Sequence, residues 1–289
     1  MAVMDQIEMA SGVRSLGHAW SWRADSIAGI ECFQAQAIIH HYGRHSHDAY
    51  AIGVIEEGVA GNDYRGASHY IPAGDIVVMN PDEPHTGYSA DDQPISYRLL
   101  YIDADVIRNV LPEHTRLPYF RDIRIQNDHW AEQLLFLHRI LSNHAEALEQ
   151  QSHLYEILPN FIRAFSDSRF AETAGREPSA IEQVKEFLRA NYQRNVSIDE
   201  LAQFAQLNRA YLIRAFRRSV GIPPYHWLLQ VRIEKAKKLL SQGAPIAEVA
   251  FEVGFADQSH LTRRFKSITG LTPGQYAAGH YRSRQKRAL

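Results

Sequence analysis

The chain of 289 residues carries 31 Lys+Arg against 33 Asp+Glu, a formal net charge of −2, and its length predicts two domains that each bury a core. Hydrophobic residues at 45% and charged residues at 22% exclude a disordered chain. One cysteine, Cys32, excludes an intramolecular disulfide framework and a Cys-rich zinc module; with no long apolar run and no basic, apolar leader at Met1, the expected setting is the cytoplasm, with no membrane partner.

From residue 30 to 103 the texture is strand and turn. Tyr50–Gly58 is rich in β-branched residues and closes on a glycine, and Ile76–Asn80 follows the turn signal Pro72-Ala73-Gly74. Ile95, Tyr97, Leu99 and Tyr101 alternate with Ser96, Arg98 and Leu100, a period-2 pattern that predicts a strand with one face better buried than the other. Short strands punctuated by Gly and Pro predict a sandwich or barrel. From Asp128 the period changes: Trp130, Leu134, Leu137, Leu141, Ala145 and Leu148 predict an amphipathic helix of about six turns. Leu154, Ile157, Leu158, Phe161, Ile162 and Phe165 predict a second. The stripe of this hairpin has to pack on the barrel or on the same helix of a second subunit, and its length points to a homodimer seam at 128–165. Residues 166–178 are polar and aperiodic and read as a linker.

Charge divides the chain at that linker. Residues 179–289 hold 18 Lys+Arg and 8 Asp+Glu, net +10, and the remainder holds 13 against 25, net −12. A balance of that kind is the footprint of a polyanion binder. The same region repeats internally. Ile198, Glu200, Leu201 and Ala202 match Ile246, Glu248, Val249 and Ala250 at an offset of 48, and Leu212, Phe216, Gly221 and Pro224 match Leu261, Phe265, Gly270 and Pro273 at 49. Each unit, about 197–219 and 245–269, is a short helix, a turn and a second helix with Leu-x-x-x-Phe on its buried face. That is a helix-turn-helix, whose second helix enters the DNA major groove. Tyr225–Leu240 between them predicts one uninterrupted helix.

Ile246–Lys266, Thr269–Tyr276 and Arg232–Leu240 resemble the AraC-type transcription regulators over about 100 residues. The front half is similar to the cupin-like sensor domain common in that family. The resemblance implies an α+β multidomain protein. A cupin-like β-barrel effector domain (1–127) and a helical hairpin (128–165) precede an all-α DNA-binding domain (179–289) with two helix-turn-helix units joined by a long helix. It implies double-stranded promoter DNA, a small-molecule effector and RNA polymerase as partners, activation as the usual mode, and neither a catalytic role nor a cofactor.

Outward positions on the two recognition helices are Arg209, Ala210, Ile213, Arg214, Arg217 and Arg218, then Gln258, Ser259, His260, Thr262, Arg263, Arg264 and Lys266. By the family motif the base-reading positions fall on Ala210, Ile213 and Arg214, and on Ser259, His260 and Arg263. Arginine suits guanine because its fork meets O6 and N7 together, whereas Ala and Ile offer only apolar contacts, so the first head should read less by hydrogen bonds than the second.

Gly43-Arg44-His45-Ser46-His47 looks like the start of a cupin metal motif. The glutamate that should follow is replaced by Ala51 or Ile52, and the second motif's histidine by Val77. His85 offers a third nitrogen, so His45, His47 and His85 form an alternative Zn²⁺ or Fe²⁺ set. The favoured reading is an effector pocket of His45, His47, Tyr50, His85, Arg98 and Tyr101 for a small polar ligand carrying a carboxylate. The rival function is a metal-dependent cupin enzyme, an isomerase or dioxygenase, with an accessory DNA-binding domain.

Overall fold

The computed structural model describes residues 17–24, 26–112, 115–142, 146–168 and 178–278. They form two compact units: residues 1–145 with 153–172, and residues 146–152 with 173–289. Most of the expected linker lies outside the described residues.

The first unit begins with nine strands: β1 (His18–Arg23), β2 (Ile30–Ile38), β3 (Tyr42–His45), β4 (Tyr50–Glu57), β5 (Val59–Tyr64), β6 (Ala67–Pro72), β7 (Ile76–Met79), β8 (His85–Ser89) and β9 (Ile95–Ile102). The short helix α1 (Ala104–Val110), strand β10 (Arg124–Ile125), α2 (Asp128–Ser142) and α3 (Ala147–Phe165) follow, the start of α3 up to residue 152 being counted with the second unit. Two antiparallel sheets form, in the order β1-β2-β9-β4-β7-β10 and β3-β8-β5-β6. Their shared core includes Ala35, Ala51, Ile55, Ala60, Val77, Ile95 and Tyr97. This is the cupin-like, strand-rich architecture expected.

The expected one-sided strand at 95–102 is covered on both faces. Leu100 and Ile102 are as buried as Ile95, because α2 packs on the outer face of β2, β4 and β9. The same packing corrects the hairpin. Among the described residues the first helix runs to Ser142 and Leu148 belongs to α3, while the expected stripe residue Ala145 lies outside the described residues. Leu134 and Leu141, expected at a subunit seam, are each 2% exposed within one chain. The sheet already satisfies the stripe.

The second unit continues with α4 (Pro178–Ala190), α5 (Ile198–Ala205), α6 (Arg209–Val220), α7 (Pro224–Ser241), α8 (Ile246–Glu252) and α9 (Gln258–Thr269). Local chemistry marks most of these ends. The Ser197 hydroxyl accepts from the Glu200 amide at 3.2 Å. The Asn208 carboxamide oxygen accepts from Ala210 N at 2.9 Å and the Asp257 carboxylate from His260 N at 2.7 Å. The recognition helices α6 and α9 both end on left-handed glycines, Gly221 (φ 86°) and Gly270 (φ 78°), a conformation that carries a steric penalty for other residues. The repeat read from the sequence is therefore a repeat of capping as well as of core.

Candidate effector cavity and DNA-reading helices

A cavity of about 900 Å³ lies in the first unit. Strand parity decides which side chains reach it. On the six-stranded sheet, Ala51 pairs with both Met79 and Tyr101, and Ile55 pairs with Tyr97, and all five line the cavity. His45 and His85 face each other across β3 and β8, with ring centroids 4.4 Å apart. Gly61, opposite Tyr88, leaves space for that ring: an added Cβ would lie 2.1 Å from it.

Four of the six expected pocket residues, His45, His47, His85 and Tyr101, line this cavity. Tyr50 and Arg98 do not, which corrects the expectation. Each is one residue out of phase with a lining neighbour, so the pleat turns it to the other face. The Tyr50 hydroxyl donates to Pro118 O at 2.8 Å, and Arg98 pairs with Glu56 at 2.9 Å. Residues not anticipated are Phe33, Tyr42, Asn62 and Tyr97. Phe33 stacks on Tyr97 with centroids 5.8 Å apart, and the Tyr97 hydroxyl donates to that of Tyr42 at 3.2 Å. The period-2 rule, carried from Tyr101 along its own strand, would have found Tyr97.

Each cavity histidine is anchored by its own backbone neighbourhood. His45 Nδ1 lies 2.8 Å from Gly43 O, His47 Nδ1 2.7 Å from Ala49 O, and His85 Nδ1 2.9 Å from Glu83 O. Burial pushes the His85 imidazole down to about 4, with His45 and His47 adding to the shift. His47 is lowered mainly by burial. Burial raises the Tyr101 phenol to about 12. Among the described residues no group of three or more His, Cys, Asp or Glu has the arrangement to hold a metal ion. The cupin glutamate position is apolar, and with each Nδ1 set against a carbonyl it is the Nε2 that each of these rings can offer to a ligand.

In the second unit, α9 presents Gln258, Ser259, Arg263 and Lys266 as exposed side chains, with His260, Thr262 and Arg264 half-buried. Burial lowers the His260 imidazole, and Arg264 and Arg263 add to the effect. On α6, Arg217 and Arg218 are exposed, and Arg209, half-buried, pairs with Asp199. Arg214 is half-buried. Ala210 and Ile213, expected to read bases, are 0% and 1% exposed. They belong to the core, a correction with a packing cause: α6 touches α4, α5 and α7, while α9 touches α7 and α8. α7 stands to α8 and α9 as α4 stands to α5 and α6, so the extra neighbour of α6 is α7, which follows it in the chain.

Residues 27–158 match the family model described as an AraC-like ligand binding domain, and residues 201–279 match a helix-turn-helix domain. The chain is 32% identical over 235 residues to the HTH-type transcriptional regulator YbfI of Bacillus subtilis, spanning 80% of this chain and 86% of that one. It belongs to the AraC family of transcriptional regulators. Two further relatives are 25% identical: the Msm operon regulatory protein of Streptococcus mutans, over 82% of this chain and 87% of its own, and the raffinose operon regulatory protein RafR of Pediococcus pentosaceus, over 84% and 91%. This AraC-family member is therefore a DNA-binding regulator with a ligand-binding domain, and its relatives and domains give the cupin-enzyme reading no support.

Proposed function

We propose that this regulator senses a small polar molecule in the 900 Å³ cavity and answers by changing how the second unit engages promoter DNA. The observation that carries this reading is the polar group of His45, His47, His85, Tyr42 and Asn62 set beside the rings and aliphatic side chains of Phe33, Ile55, Met79 and Tyr97 in one cavity wall. DNA is met through Gln258, Ser259, His260, Arg263 and Lys266 of α9 and through the arginine edge of α6, with Arg209, Arg214, Arg217 and Arg218 nearest the phosphates. The chain acts in the cytoplasm as a homodimer that recruits RNA polymerase and activates transcription; a seam on the hairpin must use faces other than Leu134 and Leu141. Operator binding measured with and without candidate ligands, beside a promoter reporter, tests the reading. Ligand-dependent binding that disappears when the cavity is filled supports it, and a response indifferent to filling the cavity refutes it.

A further inference from the structure

Two reading helices serve one operator only when the distance and angle between them match the groove. Within the second unit α7 packs on α4 and α6 of the first head and on α8 and α9 of the second, whereas neither α5 nor α6 packs extensively on α8 or α9. Residues 146–152, counted with this unit, reach both heads and the helix between them. The Gln151 carboxamide accepts from the N–H of Ile198, the first residue of α5, at 2.9 Å; an N–H at that position has no partner inside its own helix. Glu146 pairs with Arg232 of α7, whose guanidinium also donates to Tyr192 O at 2.7 Å and Arg194 O at 3.1 Å in the turn between α4 and α5. Glu149 pairs with Arg264 of α9. The chemistry of the segment is unlike that of an ordinary packing face: Glu149, Gln150, Gln151 and Ser152 are consecutive and all buried. Apolar side chains of similar size would fill such a site at a lower cost in desolvation; what buried, directional pairs add is one fixed arrangement.

We propose that Glu146, Glu149 and Gln151 are positioning residues for operator recognition, a brace that holds the two heads at one spacing. This rests on α6 and α9 both meeting DNA. The brace lies outside residues 201–279, the stretch that matches the helix-turn-helix domain, so the two heads alone do not carry everything that sets their spacing. Glu149→Ala removes the tie between α9 and the segment. Gln151→Ala leaves the first N–H of α5 without its side-chain acceptor. Each substitution opens the same link between the heads, so their effects on spacing do not add.

The test uses the full chain and a duplex selected from a random library by the wild-type protein, beside versions with one base pair inserted or deleted between the two protected segments. One inserted pair moves a subsite by about 3.4 Å along the axis and about 35° around it. The wild-type chain should bind the altered duplexes about tenfold more weakly, the loss expected when one head forfeits a base pair's contacts. Glu149→Ala and Gln151→Ala should each cut that penalty to about threefold or less, and the double variant should cut it no further. Glu149→Gln, which keeps an acceptor for Arg264, should retain the wild-type penalty. Circular dichroism melts set a temperature at which every variant is folded, and the ratio of affinities for two duplexes does not change with the fraction of active protein. A penalty as steep in either single variant as in the wild type overturns the brace and leaves the two-head reading standing. Single effects that add in the double variant overturn it as well, because they report two separate contacts. A wild-type chain indifferent to spacing removes the two-head reading, and the brace with it.

Discussion

Arg264 of α9 donates to the carboxylate of Glu149, and the two ends of this ion pair differ in burial: the Glu149 side chain is 1% exposed and that of Arg264 31%. Glu149 lies in the 146–152 segment that clusters with the second unit. Its neighbours in that segment are engaged there too: Glu146 pairs with the fully buried Arg232, and the Gln151 carboxamide accepts from Ile198 N at 2.9 Å. The unequal burial makes the pair's two deletions unequal. Arg264→Ala strands a buried carboxylate, which costs about 3 kcal/mol. Glu149→Ala leaves an arginine that can turn to water, which costs about 1 kcal/mol. Burial already raises the Glu149 pKa, so the Arg264→Ala penalty should shrink as pH falls and the carboxyl takes a proton. Denaturant melts at two pH values check both the order and the pH effect; equal penalties for the two variants would contradict the burial argument.

Arg263 stands exposed on the same helix. Arg263→Ala should cost about 1–3 kcal/mol of operator affinity and relax preference at one base pair. Arg218→Ala should weaken every sequence alike. A binding-site selection with each variant tells them apart.

DNA binding should depend steeply on salt. Neutralising roughly 6–8 phosphates gives a slope of log affinity against log salt of about −5 to −7. Fluorescence anisotropy of a labelled operator across salt concentrations measures it, and a slope near zero would remove the basic face from the interface.

Leu134→Lys and Leu141→Lys should unfold the first unit rather than release a folded monomer. Each puts a charge where α2 meets the sheet, at sites 2% exposed in a single chain. A folded, monomeric double variant in sedimentation, with an unchanged melting temperature, would return these leucines to a subunit seam.

His138 of α2 is 2% exposed and donates from Nε2 to Phe33 O at 3.1 Å. Burial holds its pKa down at about 4. The unfolded chain, near 6.5, therefore takes up this proton first as pH falls, so stability is lost between about pH 6.5 and pH 4, on the order of 1 kcal/mol per pH unit. His138→Gln should flatten the pH dependence of unfolding in that window. Parallel curves for the two proteins would show that the group does not titrate as its burial requires.

Legibility from sequence followed how local each signal was. The repeat and the histidine pair of the cupin motif are short-range, and Leu212, Phe216 and Gly221 act where they stand. Tyr50 and Arg98 went astray through parity: polar chemistry drew attention to them although Ala51 and Tyr101 fix the inward phase of their strands. Ala210 and Ile213 went astray because α6 is packed by three helices, α4, α5 and α7, and α9 by two, an asymmetry that the comparison of units could not reveal. Asn62 and the Nε2 geometry need the pairing of β3, β5 and β8, which periodicity alone does not supply.

The burial of Ala210 and Ile213 against the exposure of Ser259 and the half-buried Thr262 also bears on how operators evolve. If α6 and α9 meet the operator as proposed, a head whose central side chains are committed to its own core leaves the bases beneath it free to drift, while α9 constrains those it meets. Operators for this regulator should accumulate substitutions at one end and resist them at the other. An aligned set of its promoters would then carry most of its sequence information on one side, giving each site a head and a tail.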